Sequence, residues 1–229
     1  MTRAPEFTVA FGRAADPAAA DGRLDAAAFH RNHEAIGAAL AADLAAMQGQ
    51  GGHHVLEIGS GTGQHAVAFA QQAPHLVWWP SDPNADHRRS VDAWRAHTGL
   101  TNLRPAANID VAQPDWQWGD THPSPPLAAI FCANVIHIAP WSVAQGLFAG
   151  AERHLRSGGK LYLYGPFKSG GRHTAPSNAA FDDSLRGRDP AWGVRDIDDV
   201  NALARRHHLT PDKVHAMPAN NLILVFTRT

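Results

Sequence analysis

Glycine alternates with small polar residues behind a carboxylate in Glu57-Ile58-Gly59-Ser60-Gly61-Thr62-Gly63. The apolar run Val55, Leu56, Ile58 precedes it, and an alanine-rich stretch over residues 64–73 follows, so the glycines fall between a buried strand and a helix. Glycine lets the backbone turn that tightly and lets a ligand rest against main-chain N–H groups near a helix N-terminus. Asp82 follows the next strand, nineteen positions after Gly63, where a carboxylate can accept both hydroxyl protons of a ribose. A nucleotide-like ligand is the natural occupant. Gly59, Ser60, Gly61, Gly63 and His65 are its candidate contacts, with Asp82.

Two cofactor classes fit that turn. Gly61-Thr62-Gly63-Gln64-His65-Ala66 satisfies the dinucleotide fingerprint with its permitted final alanine, which supports an NAD-dependent oxidoreductase. Three features favour S-adenosylmethionine instead. Glu57 suits an ammonium and a sulfonium better than a pyrophosphate dianion. Asp110, in Asn108-Ile109-Asp110 after the third strand, can read an adenine amino group. A closing strand pair over residues 214–226 has no place in a simple parallel dinucleotide sheet.

Further chemistry sits downstream. Asn134 and His137 follow the fourth strand, at the edge where open α/β sheets keep their reacting groups. His137 is the candidate base or acceptor-orienting group, Asn134 a cofactor contact, and Tyr164, ending the fifth strand, a second candidate catalytic group. The insert over residues 165–195 is dense in planar and charged groups. Its Asn178, Arg186 and Arg195 are candidate substrate contacts, the arginines able to clamp a carboxylate or phosphate or to order the loop through aspartates. Trp141 can offer its ring face to a cation. No His-x-x-x-His pair and no Cys/His cluster suggests a metal. With no unmistakable base, a non-catalytic cofactor-binding interaction protein is a further alternative.

The elements that must position these groups read as one α/β domain over residues 25–229 behind a flexible arm, residues 1–24. Phe29, Ile36, Leu40, Leu44 and Met47 recur at helical spacing in a lead helix stopped by the glycines of residues 49–52. Strands over residues 55–58, 76–79, 103–109, 127–135 and 160–164 alternate with helices over 64–73, 86–97 and 141–155. A short helix capped by Ser177, a last helix capped by Asp196, and strands over 214–217 and 222–226 complete the chain. The expected fold is a Rossmann-like, seven-stranded, mostly parallel sheet with an antiparallel last strand and helices on both faces.

Composition narrows the class further. With 229 residues, 44% hydrophobic and 18% charged, the chain can bury one core. Twenty basic against 21 acidic residues, with no basic run, argue against nucleic acid as a partner. A lone cysteine, Cys132, points to a reducing, cytoplasmic home, and no apolar stretch is long enough for a signal or membrane span.

Taken together the residues resemble a class I S-adenosylmethionine-dependent methyltransferase and, more narrowly, the methyltransferase-like 26 family. The resemblance runs through Arg31-Asn32, the turn with His65-Ala66, Pro80-Ser81-Asp82, Asn134 with His137-Ile138-Ala139-Pro140, and Tyr164-Gly165-Pro166. It continues through Ser177-Asn178 with Phe181-Asp182, Arg188-Asp189-Pro190, Arg195-Asp196 and Met217-Pro218-Ala219-Asn220-Asn221. It implies an S-adenosyl-L-methionine cofactor and a small-molecule methyl acceptor, and it adds Asn32 and Asn220 to the substrate contacts. Asn220-Asn221 also suits left-handed turn positions. The family usually has alanine at Gly59 and an acidic residue before Arg31-Asn32, where this chain has His30 and a longer arm. Asn134-Val135-Ile136-His137 is not the Asn-Pro-Pro-aromatic arrangement of amino methyltransferases acting on adenine or glutamine. Transfer from an activated sulfonium needs in-line positioning more than covalent help.

Overall fold

A computed structural model describes residues 11–15, 20–47, 53–116, 118 and 126–229. The chain divides into two compact units, Met1–Asp110 with Trp116–Ala128, and Val111–Asp115 with Ala129–Thr229. The glycines of residues 49–52, much of the loop before Pro126 and part of the arm lie outside the described residues.

In the first unit, strands β1 (Arg13–Ala14) and β2 (Leu24–Asp25) pair antiparallel, so the described part of the arm is tied back to the chain. Helix α1 (Ala27–Ala46) buries Asn32, Ile36, Leu40 and Leu44 along one stripe, as a 3.6-residue period requires. Strand β3 (His54–Ile58) leads through the glycine turn into α2 (Gln64–Gln72), and β4 (Val77–Ser81) lies parallel to β3 with Glu57 opposite Pro80. Helix α3 (Ala85–Thr98) starts where the Asn84 side chain accepts the Asp86 N–H at 2.8 Å, and ends at Gly99 with φ +65°.

The remaining strand and helix elements, in chain order, are β5 (Leu127–Ala133), α4 (Trp141–His154), β6 (Leu155–Gly165), β7 (Phe167–Ser169), β8 (Arg172–His173), α5 (Pro176–Arg188), β9 (Arg195–Asp196), α6 (Ile197–Arg206), β10 (Leu209–Met217) and β11 (Asn221–Arg228). In the second unit β11 runs antiparallel to both β6 and β10, and β7, β8 and β9 form a small separate sheet. Asp196 caps α6 by accepting the Asp198 N–H at 2.9 Å.

Three expectations are corrected. Among the described residues the main sheet has six strands, not seven: β3 pairs with β4 in the first unit, and β6, β11 and β10 lie side by side in the second. The missing one is the strand expected over residues 103–109, which makes only isolated bridges, Trp78 to Leu103 and Ser81 to Ala107. Arg104 and Ala107 donate to the carbonyls of Trp78 and Pro80, both at 2.9 Å. Pro105 stands between them with no N–H and breaks the ladder. The strand expected over residues 160–164 starts earlier, at Leu155, and runs through Gly158 at φ +73°. Helix α5 starts at Pro176, not behind a Ser177 cap, because proline at the first helical position carries a φ already suited to the helix.

Candidate functional site

The first unit builds its site around one buried carboxylate. Gly61 N–H donates to Asp82 Oδ2 at 2.9 Å, Asn84 N–H donates to Oδ1 at 2.8 Å, and His87 Nδ1 lies 3.2 Å from Oδ2. Ser60 closes the turn against β4: its N–H donates to the Ser81 carbonyl at 2.8 Å, and its Oγ accepts the Ser81 N–H at 3.1 Å. Gly63 has φ +88°, and a Cβ there would come 2.8 Å from Val91 Cα, so no other residue lets α3 approach the turn this closely. Gly59 and Gly61 are also left-handed, at φ +67° and +55°.

Glu57, next to last in β3, is buried, with Oε2 accepting Trp78 Nε1–H at 2.7 Å. Burial pushes its carboxyl up to about 8; the Trp78 hydrogen bond opposes this and the Asp82 charge adds to it. His65 Nε2 lies 2.9 Å from Asn32 Oδ1, and burial, with the His33 charge, holds its pKa down to about 4. The structure thus brings Glu57, Gly59, Ser60, Gly61, Gly63 and Asp82 together, and it joins His65 to Asn32 beside them. Asp110 is half-buried at the end of the interrupted strand.

Sequence reasoning misses Gln64, His87 and Ser90. Gln64 Oε1 accepts the Ala26 N–H at 2.8 Å, and its Nε2 donates to Asp25 Oδ1 at 2.9 Å. Ser90 Oγ donates to the Thr62 carbonyl and accepts the Leu24 N–H, both at 2.8 Å. Nothing in the spacing of α3 marks His87 or Ser90 as facing the turn.

The second unit builds a different cluster. Asn134, left-handed at φ +62°, donates its N–H to the Tyr164 carbonyl at 2.8 Å and opens the one-turn segment Val135–His137. His137 is fully buried: Nδ1 accepts the Arg195 N–H at 3.4 Å, while Nε2 has no hydrogen-bond partner. A Cβ on Gly165 would lie 2.5 Å from that Nε2, so glycine is what lets the imidazole sit against the end of β6. Burial and then the Arg195 charge push His137 down to about 3, against the pull of the Gly193 hydrogen bond and the Asp182 charge.

Arg195 spends its guanidinium on carbonyls, donating from Nε to Ile136 at 2.9 Å and from Nη2 to Ala139 at 2.6 Å and Ala191 at 2.9 Å. Its head lies 5.6 Å from the Trp141 ring. Arg186 Nε donates to Asp182 Oδ1 at 3.2 Å, and Asp182 also receives Lys168 Nζ at 2.7 Å and the Val194 N–H at 2.7 Å. Asn178 Nδ2 donates to Thr174 Oγ1 and to the Asn220 carbonyl, both at 3.0 Å, and Asn220 Nδ2 donates to Ser177 Oγ at 3.2 Å. Tyr164 is buried near the end of β6, opposite Ile223 of β11. Among the described residues no group of His, Cys, Asp or Glu could hold a metal, and no helix is long and apolar enough to cross a membrane.

Residues 23–228 match the model of a family described as Protein of unknown function (DUF938). Among solved structures the chain is similar to NcsB1, an O-methyltransferase from neocarzinostatin biosynthesis in complex with S-adenosylmethionine and 2-hydroxy-5-methyl naphthoic acid. The identity is 17%, over 88% of this chain and 55% of that one, with a TM-score of 0.67. A putative O-methyltransferase from Nostoc punctiforme is 14% identical, over 84% and 57%, at 0.68. The S-adenosylmethionine-dependent methyltransferase SibL in its apo form is 20% identical, over 87% and 57%, at 0.62. These likenesses show the fold, the Rossmann-like one of S-adenosylmethionine-dependent methyltransferases. The chain spans 55–57% of the length of these three structures.

Proposed function

The chain belongs to the family of proteins of unknown function DUF938, and on its methyltransferase fold we propose that it transfers a methyl group from S-adenosylmethionine to a small polar molecule. The observation that carries this reading is the glycine turn with its buried Asp82, whose carboxylate oxygens accept the N–H groups of Gly61 and Asn84 and, among the described residues, pair with no lysine or arginine. A carboxylate whose oxygens accept only backbone N–H groups keeps lone pairs for ribose hydroxyls, with Arg88 engaged on the Asp82 and Pro83 carbonyls instead. Glu57 would meet the cofactor's ammonium, and Gly59, Ser60, Gly61, Gly63, His65 and Asp110 complete its contacts in the first unit. The narrower resemblance to the methyltransferase-like 26 family belongs to the same reading, as does a cytoplasmic home for a chain whose one cysteine is buried.

The cofactor supplies an already activated methyl group, so the protein's task is alignment and exclusion of water. His137, with a conjugate acid near 3, is a poor proton acceptor at neutral pH. Its role is to orient, held by Arg195. Trp141, Asn178 and Asn220 are the acceptor contacts of this reading, with Arg186 and Arg195 available only where they leave Asp182 and the carbonyls they bond, and Tyr164 is a second orienting group. Because two of the three solved neighbours named above carry O-methyltransferase in their names, oxygen acceptors are the first class to screen.

A thermal-shift titration with S-adenosylmethionine, S-adenosylhomocysteine and NAD tests the cofactor. A ligand at a hundred times its Kd adds about 2.7 kcal/mol, which raises the Tm of a domain this size by roughly 5–11 °C. The adenosyl compounds should shift it and NAD should not. A shift with NAD alone overturns the proposal in favour of an oxidoreductase.

A further inference from the structure

Residues 11–14 precede the stretch that matches the family model, yet they are fixed on the glycine turn. The Phe11 ring covers Gly61 so closely that a Cβ there would lie 2.3 Å from the ring's Cζ, and it meets the His87 ring at 4.5 Å and 60°. Gly12 packs on Thr62, where a Cβ would come 2.7 Å from Cγ2. His87, 1% exposed, stands between this segment and Asp82. Its Nε2 lies 3.2 Å from the Phe11 nitrogen and 3.3 Å from the Phe11 carbonyl, and its Nδ1 lies 3.2 Å from Asp82 Oδ2. Arg13 and Ala14 pair with Asp25 and Leu24, and Leu24 is tied through Ser90 to the Thr62 carbonyl. Contacts thus close a ring around the turn from both the arm and α3.

We propose that residues 11–14 form a strap that sets how firmly the adenosyl cofactor is held, with Phe11 and His87 acting as positioning residues for Gly61 and Asp82. The proposal rests on the cofactor reading above. Its physical basis is preorganisation: a carboxylate already bonded by the Gly61 and Asn84 N–H groups and backed by the buried His87 ring loses little freedom when ribose hydroxyls arrive, and a ring over Gly61 shields those hydrogen bonds from water. Phe11 remains 43% exposed, so it is kept in place by these contacts and not by core burial. Truncating it should leave the fold intact.

The test uses the full chain and its Phe11→Ala, Phe11→Tyr and His87→Gln variants. Equilibrium binding and dissociation of S-adenosylhomocysteine are measured, together with hydrogen exchange of the Gly61 amide in ligand-free protein. Phe11→Ala should bind about tenfold more weakly, through faster dissociation, and exchange the Gly61 amide faster, while Phe11→Tyr restores both. If His87→Gln fails to fold, the Phe11 pair decides alone. Wild-type protein that binds, alongside a Phe11→Ala variant that binds as tightly or more tightly, overturns the strap. Wild-type protein that binds neither S-adenosylhomocysteine nor S-adenosylmethionine overturns the cofactor reading, and the strap falls with it.

Discussion

The glycine turn and the Asp182 cluster each bury a carboxylate, and they satisfy it by opposite means. Around Asp82 the N–H partners are backbone groups of Gly61 and Asn84, with one imidazole at 3.2 Å. Around Asp182 two partners are cations, Lys168 at 2.7 Å and Arg186 at 3.2 Å, joined by the His173 imidazole at 3.3 Å and the Val194 N–H. Dipoles leave a net charge behind for a ligand; cations cancel it. The first arrangement is therefore suited to binding, and the second to ordering the segment between β7 and β9.

Removing each carboxylate should break the comparison in two different ways. Asp182→Ala leaves the buried Val194 N–H without its acceptor and frees Lys168 and the half-exposed Arg186, which should cost about 1–3 kcal/mol in denaturant unfolding. Adenosyl-cofactor affinity per folded molecule should stay unchanged. Asp82→Asn keeps the shape of the turn, so it should cost less stability while removing most of the affinity. The same loss of affinity from both variants would show that the two clusters do not divide binding from ordering.

That division also explains how much was legible in the sequence. The turn is made of main-chain geometry, and main-chain geometry is written in residue types: three glycines at left-handed φ, and an aspartate just past the end of β4. Asp196 as a helix cap and the β10–β11 pair were readable for the same reason. The interrupted strand over residues 103–109 was not, because its apolar pattern outweighed the single proline that removes a ladder hydrogen bond. Nor were the partners of Arg195 readable. Three carbonyls claim its guanidinium, and carbonyls leave no trace in a sequence. His87 was hidden similarly, as one polar residue among the many of α3.

Buried titratable groups sharpen the contrast through pH. Glu57 has its pKa raised from 4.5 to about 8, so its contribution to stability is complete below 4.5 and is lost as pH rises through 8. His65 and His137 are depressed from 6.5 to about 4 and about 3, so stability is lost as pH falls below 6.5. Above the imidazole range the alkaline side belongs to Glu57. Between pH 7 and 9 it should remove about 1.4 kcal/mol, and Glu57→Gln should flatten that limb in parallel urea titrations. An ammonium-bearing cofactor favours the ionised carboxylate, so its binding at pH 7 should release a proton, visible in calorimetry across buffers of different ionisation enthalpy. An unchanged limb in Glu57→Gln would remove the link between the turn and the alkaline loss.

The smallest expected effect tests whether the second unit spends its polar groups internally even at its rim. Asn220 is exposed and left-handed at φ +59°, and its carbonyl, not its side chain, receives Asn178 Nδ2 at 3.0 Å. Glycine adopts that φ without strain and keeps the same carbonyl, so Asn220→Gly removes only the 3.2 Å bond to Ser177 Oγ. An exposed hydrogen bond of this kind is worth little, and the change in unfolding free energy should stay within about 0.5 kcal/mol. Turnover of a methyl acceptor by the same variant then separates the two roles of the residue. Unchanged turnover makes Asn220 a turn residue whose amide is incidental, in line with the rest of the unit. A raised KM with stability unchanged makes its side chain an acceptor contact and marks this turn as the place where the second unit keeps a polar group free for substrate.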